Sequence, residues 1–287
     1  MVIEAHAKIN WTLAVNGVRA DGYHLLSMWM QSVTLSDRLT IEPAPALSLQ
    51  VTGQRDLSDG PDNLVLRAAE ALRKASGCRA GAKITLEKRI PSQAGLGGGS
   101  ADAAAALYAL NILWETGLPE ETLAGIGLTL GADVPFCLRG GLCLAEGIGE
   151  KLKPWPRAPR WPLIVIQPCG GLSTGAVFRA WHQAGEQPER RTEAFLHAVE
   201  EDDPRLLPAR PGNDLEAVSM SFAPEIRTCI SALRDAGAVC AQMSGSGSAV
   251  FGVWPEAEAA DEALQRLLPR YPDAVRCETC DTPFRVL

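Results

Sequence analysis

Apolar residues recur along this chain with two periods, and the change from one to the other predicts a mixed α+β protein. Residues 9–15 and 32–41 have strand-type apolar content. Residues 82–90 alternate, with Ile84, Leu86 and Lys88 on one side and Lys83, Thr85 and Glu87 on the other, as a half-buried strand does. The period turns helical over residues 62–76. There Leu64, Val65, Ala68, Ala69 and Leu72 share a face, Asp62 can cap the start and Gly77 stops the end. An alanine-rich helix follows over 101–113, and Pro119 opens another that runs to about Leu130 and ends at Gly131.

The proline-dense stretch Lys153-Pro154-Trp155-Pro156-Arg157-Ala158-Pro159-Arg160-Trp161-Pro162 lies between structured flanks and reads as a boundary between two domains, 1–155 and 156–287. Beyond it the pattern predicts a strand at 163–167 and helices near 174–184, 192–200 and 224–236. Strands at 238–242 and 249–254 flank a second glycine-rich turn, and a helix at 255–268 and a last strand at 274–280 follow. Strand and helix alternate without strict βαβ repetition, so α+β suits better than a doubly wound sheet. No internal repeat is visible. Residues 59–62 and 186–204 read as variable surface.

Composition narrows the function classes. A chain of 287 residues has room for two ordinary domains, and 46% hydrophobic with 21% charged residues are the proportions of a soluble globular protein. The formal net charge is −7, no run of five like charges occurs, and no basic stripe offers a nucleic-acid surface. Local donors, not a global field, must therefore hold any anionic ligand. The first eight residues lack the apolar core and cleavage site of a signal peptide, and no apolar stretch approaches the roughly 18 residues of a spanning helix. A cytoplasmic protein with no membrane or nucleic-acid partner is expected. Cysteines at 78, 137, 143, 169, 229, 240, 277 and 280 are too sparse for a disulfide scaffold. Cys277 and Cys280 have the C-x-x-C spacing but no second pair, so packing is preferred to a metal or redox role, and no metal ligand is named.

The chemistry concentrates in five places. Pro91-Ser92-Gln93-Ala94-Gly95-Leu96-Gly97-Gly98-Gly99-Ser100-Ala101-Asp102 runs four glycines in five positions into the alanine-rich helix. Glycine admits close backbone approach, and a helix start adds unpaired N–H donors, which together suit phosphate. The loop lacks the Gly-Lys-Ser/Thr of a Walker A sequence and fits a dinucleotide fingerprint poorly; a plain strand-to-helix turn is the alternative. Met243-Ser244-Gly245-Ser246-Gly247-Ser248 is either a hairpin turn or a second close approach. Gly131-Ala132-Asp133-Val134-Pro135-Phe136 leaves a carboxylate at the end of a helix, an unfavourable place unless it organises the turn or has a cation or a task. Lys8 shares a strand face with Asn10 and needs either water or an anion for its head. Arg19-Ala20-Asp21-Gly22-Tyr23-His24 is a turn whose Tyr23 either stacks on a planar base or joins the core, with His24 able to hydrogen-bond to such a base.

Taken in order, Lys8-Ile9-Asn10, Pro91-x-x-Ala94-Gly95-Leu96-Gly97-Gly98-Gly99-Ser100-Ala101-Asp102, Gly131-Ala132-Asp133-Val134-Pro135-Phe136 and Met243-Ser244-Gly245-Ser246-Gly247 resemble the GHMP family of small-molecule kinases, which includes galacto-, homoserine and mevalonate kinases. The resemblance runs from Ala7 to about Trp254, and the Asp21-Gly22-Tyr23-His24 turn narrows it to a member whose substrate carries a cytidine diphosphate group. It implies a ribosomal S5 domain 2-like N-terminal domain, a ferredoxin-like C-terminal domain and transfer of the ATP γ-phosphoryl group to a hydroxyl. It places Pro91, Gly95, Leu96, Gly97, Gly98, Gly99, Ser100 and Ala101 around ATP, with Mg²⁺ expected alongside and Ser100 as an indirect contact. It makes Asp133 the acceptor of the hydroxyl proton and sets Lys8 beside it and the reacting oxygen. Tyr23 and His24 would read the cytosine, Phe178 would be the other wall of an aromatic sandwich, and Thr174 a polar contact. Asn10 would lie near the acceptor hydroxyl, and Gly245 and Gly247 would close the substrate side. The rival readings are another GHMP-type kinase and a non-catalytic nucleotide-binding module; the acidic balance and the presence of both Lys8 and Asp133 weigh against the second.

Overall fold

Two long antiparallel strands, β1 (Val2–Val18) and β2 (His24–Ala44), form the spine of the molecule. The computed structural model describes residues 1–20, 22–53, 58–184 and 192–287. After β2 come β3 (Leu47–Thr52), α1 (Leu64–Ser76), β4 (Gly81–Glu87), α2 (Gly98–Leu113), α3 (Glu120–Leu130), α4 (Val134–Arg139), β5 (Leu142–Gly147) and β6 (Lys151–Pro154). The second half holds β7 (Pro162–Ile166), α5 (Thr174–Ala184), α6 (Thr192–Glu201), α7 (Glu216–Phe222), α8 (Glu225–Asp235), β8 (Cys240–Met243), β9 (Val250–Val253), α9 (Ala257–Leu267), β10 (Val275–Cys280) and β11 (Phe284–Val286).

The strands join into one sheet with a main path β11-β1-β2-β10-β7-β9-β8. β2, 21 residues long, makes this possible. One of its edges is taken by β1, and the other is shared end to end. Residues 26–31 pair with β5, 32–33 with β10 and 38–44 with β4. The last long strand of the chain is thus seated between two strands of the first half. β11 pairs with β1 beyond it, matching Ile3 with Val286.

Burial explains why β1 departs from simple alternation. Every residue from Ala5 to Leu13 is buried, because the strand is covered on both faces. A register shift between Asn10 and Thr12 leaves Trp11 without a cross-strand partner. Its indole stacks on Phe195 at 5.3 Å between ring centroids and meets Trp161 and Phe251 edge-on at 5.6 and 5.4 Å. On the other side, α2 is buried from Ala101 to Leu107 and again at Ala109 and Leu110. Alanine makes this possible, since a helix of small side chains can lie close to several neighbours at once.

Several boundaries differ from expectation for local reasons. Asn63, not Asp62, caps α1, its side chain accepting from Val65 N at 2.9 Å; Asp62 instead accepts from Ser58 Oγ at 2.7 Å. Helix α2 starts at Gly98, inside the glycine loop. The short helix α4 was hidden by Pro135, which sits in its first turn, where a missing N–H costs nothing. Residues 192–201 are not variable surface, because Phe195, Ala198 and Val199 of α6 are buried; residues 186–191 of that segment lie outside the described residues. Cys277 and Cys280 are buried three positions apart on β10, and burial pushes each thiol up to about 12. Among the described residues no group of three His, Cys, Asp or Glu is placed to hold a metal.

Candidate active site

β4 ends at Glu87, and the chain passes through Lys88 to Ile90 into the glycine loop and then into α2. Gly97, at φ 69°, is the N-cap of α2, and no side chain caps the helix. The first intrahelical bond runs from Ala101 N to Gly97 O at 2.9 Å. The N–H groups of Gly98, Gly99 and Ser100 have no protein acceptor among the described residues, and all three residues line a cavity of about 1000 Å³. Unfilled donors and the positive end of a helix dipole therefore face open space.

Lys8 and Asp133 meet at this cavity, although 125 positions separate them in the sequence. Lys8 Nζ lies 3.5 Å from Asp133 Oδ2 and donates to Asn10 Oδ1 at 2.7 Å. The Lys8 head is therefore not in water; the residue is 5% exposed. Its backbone N–H donates to Leu96 O at 2.9 Å, so strand and glycine loop are stitched together. A side chain at Gly97 would press on the Lys8 stem, within 3.0 Å of its Cγ. Asp133 does not sit at an unfavourable helix end after all. It is the N-cap residue of α4, the favourable end for a negative charge. Yet its carboxylate makes no capping bond and points to Lys8 instead.

The second glycine turn locks against the first. Ser244 Oγ donates to Gly95 O at 3.0 Å and accepts from Asn10 N at 3.2 Å. A Cβ on Gly95 would collide with Ser244 O, so only glycine fits this crossing. Asn213 Nδ2 holds the turn from behind, donating to Met243 O at 3.0 Å and Gly245 O at 2.8 Å. Ser246 Oγ lies 2.9 Å from Thr174 Oγ1, which ties the turn to the start of α5.

The aromatic end of the cavity is formed by Tyr23, His24 and Phe178. His24 stacks on Phe178 with ring centroids 4.6 Å apart and planes at 29°, which leaves no room for a base between those two rings. Its Nε2 is buried without a hydrogen-bond partner. Burial, reinforced by His182, lowers the His24 pKa, so the ring is neutral at pH 7. Tyr23 is 59% exposed at the rim.

Sequence and fold agree with known proteins. The GHMP kinases N terminal domain matches residues 63–141, and the GHMP kinases C terminal domain matches 195–273. A 4-diphosphocytidyl-2-C-methyl-D-erythritol kinase of Pelotomaculum thermopropionicum is 46% identical over 91% of this chain and 92% of its own. The chain belongs to the GHMP kinases. A second relative of the same description, from Moorella thermoacetica, is 42% identical over 97% of this chain and 99% of its own. A crystal structure of 4-(cytidine 5'-diphospho)-2C-methyl-D-erythritol kinase superposes with a TM-score of 0.84 at 36% identity, covering 98% of this chain and 100% of that one. Homoserine kinase of Cytophaga hutchinsonii, with a TM-score of 0.74 at 19% identity over 100% and 97% of the two chains, shares the fold. As a GHMP kinase the protein is an ATP-dependent small-molecule kinase of the expected α+β class. No helix among the described residues is long and apolar enough to cross a membrane.

Of the expected site residues of this GHMP kinase, Lys8, Asn10, Tyr23, His24, Pro91, Gly95, Gly97, Gly98, Gly99, Ser100, Asp133, Thr174, Phe178 and Gly245 line the one cavity. Three do not. Leu96 and Ala101 turn their side chains into the core at 1% and 0% exposure, and Gly247 faces Met243 rather than the cavity.

Three residues beneath the loop were not anticipated. Lys88 is buried between Asp37 and Asp102, donating to both, the latter at 2.6 Å. Asp37 also accepts from Arg89 N at 2.5 Å and Ile90 N at 2.8 Å, so it fixes the chain just before the glycine loop. Burial opposes the Lys88 charge, but Asp102 and Asp37 outweigh it and raise its pKa; burial, with Asp37, raises that of Asp102. The signal was present in the alternation of β4, which put a lysine on the inward face. Lys88→Met is expected to destabilise the protein by about 3–5 kcal/mol, since two buried carboxylates lose their cation. Urea denaturation showing a loss below about 1 kcal/mol would remove the network from the stability of the loop.

Proposed function

We propose that the protein phosphorylates the 2-hydroxyl of 4-diphosphocytidyl-2-C-methyl-D-erythritol with ATP, a step of the non-mevalonate isoprenoid pathway. The observation that carries the reading is the 3.5 Å approach of Lys8 Nζ and Asp133 Oδ2 beside the unfilled N–H donors of Gly98, Gly99 and Ser100. Phosphoryl transfer asks a protein chiefly for positioning and charge stabilisation. In this reading the donors of the loop and of α2 hold the ATP phosphates. Asp133 orients the acceptor hydroxyl and takes its proton, Lys8 stabilises the negative charge that develops on that oxygen, and Asn10 holds Lys8 in place. Mg²⁺ belongs to this reading as the companion of ATP. It binds mainly through substrate phosphates and water, which suits a site where the described residues build no acidic cage and Ser100 offers a hydroxyl.

Tyr23, His24 and Phe178 serve the cytosine. Since His24 already occupies the face of Phe178, the base stacks on Tyr23 or displaces His24. The division into domains 1–155 and 156–287 belongs to the same reading, with the nucleotide loop and Asp133 in the first and Thr174, Phe178 and Gly245 in the second.

The deciding experiment measures ATP consumption with a panel of acceptors that carry or lack a cytidine diphosphate group. Turnover confined to the cytidyl acceptor supports the assignment; equal turnover of homoserine or mevalonate overturns it. Tyr23→Ala is expected to raise KM for the cytidyl substrate about tenfold or more, the usual worth of a base–aromatic stack, while ATP affinity holds. Equal losses for both ligands would move Tyr23 out of the cytidyl pocket.

A further inference from the structure

The cavity described above must accept two polyphosphate ligands if the proposed reaction is right, and the inference that follows rests on that reading. Three cations line the cavity among the described residues: Lys8, Lys88 and Arg179. Lys8 is committed to Asp133 and Asn10, and Lys88 is enclosed by Asp37 and Asp102. Arg179 has neither a carboxylate nor a carbonyl partner among the described residues, and it is exposed. The chain as a whole is acidic, at −7, so no general field makes up for a missing local cation.

Its position fits one of the two ligands. Arg179 directly follows Phe178 on α5, and its side chain leans toward the helix start as helical side chains do. Its Nη1 lies 3.4 Å from where a Gly175 side chain would begin, so the guanidinium overlies the first turn of α5. That turn carries Thr174, which is bonded to Ser246 of the second glycine turn. The ATP phosphates belong to the other loop, at the start of α2. We propose that Arg179 is the residue that binds the diphosphate of the cytidyl substrate, holding it between the aromatic pocket and the Lys8–Asp133 pair. A guanidinium presents paired N–H donors that match phosphate oxygens in a fork, and such bonds are about twice as strong as neutral ones. Discrimination between cytidine and cytidine diphosphate then resides in this side chain.

The test uses the full chain with its nucleotide site filled by a non-hydrolysable ATP analogue, titrated with CDP and with cytidine. Wild-type protein should hold CDP about tenfold or more tighter than cytidine, the scale of a charge-assisted phosphate contact. Arg179→Gln should lose most of that margin while leaving cytidine affinity within about twofold, and Arg179→Lys should keep part of it, having the charge without the fork. In steady-state assays with the cytidyl substrate, Arg179→Gln should raise KM for that substrate and leave kcat and KM for ATP nearly unchanged. A CDP-over-cytidine margin that is absent in wild type, or equal in wild type and Arg179→Gln, overturns the assignment. Turnover by the wild type judges the kinase reading separately: no phosphate transfer, with a CDP margin that still depends on Arg179, would sink the reaction and keep the diphosphate site.

Discussion

Asp133→Asn is expected to lower kcat by about 10³-fold, within the range found when a general base is removed. Asparagine keeps the size and shape of the side chain, so α4 and the glycine loop stay as they are. What it loses is the carboxylate that faces Lys8 at 3.5 Å and, in the proposed mechanism, takes the proton of the acceptor. The carboxylate makes no capping bond, so the structural cost is small. In the proposed reading nucleotide binding rests on Gly95 to Ser100, so ATP affinity should change less than about twofold, since no transition-state interaction contributes to it. Rapid-quench measurement of phosphate transfer, paired with calorimetric titration of ATP, separates these effects. A variant that turns over at nearly the wild-type rate would remove Asp133 from the chemistry.

Lys8→Met should lower kcat by about 10²-fold or more, the usual effect of deleting one charge contact made in the transition state. Methionine retains the aliphatic stem that packs against Gly97, so the loss isolates the ammonium group. Asn10 Oδ1 loses its donor, and Asp133 its cation. If the two residues act as one unit on one oxygen, as proposed, the double variant Lys8→Met/Asp133→Asn should be little worse than Asp133→Asn alone. Fully multiplicative losses would mean that lysine and acid serve different steps. A change confined to KM would reduce Lys8 to a binding residue.

The readings that held came from strong local signals. The helical period of residues 62–76, the alternation through 82–90 and the run of glycines into alanines each reflect a single physical demand, and each gave an element of the expected type whose ends lie within three residues of the pattern. The Lys8–Asn10 contact was legible too, because residues two apart in a strand share a face. What stayed hidden depends on distant partners. No local rule says that Asp37 meets Lys88, that Asn213 grips Gly245 or that Ser244 reaches Gly95. The misjudged surroundings of Asp133 have a similar origin, since six residues are too few to show a helical period and the proline at the second of them reads as a break. His24 on Phe178 is a contact between the two halves of the chain, and only the sheet order brings those elements together.

The crossing of Gly95 under Ser244 has a bearing on biosynthesis. Gly95 of the glycine loop leaves the ribosome early, but Ser244, which buttresses it, is made 149 residues later, or roughly 7–30 seconds at ordinary elongation rates. Through that interval the nascent polypeptide carries its glycine loop, the proposed phosphate cradle, without the clasp that shapes it. Nucleotide capture by stalled translation intermediates should therefore switch on only once the segment around residue 248 has cleared the exit tunnel.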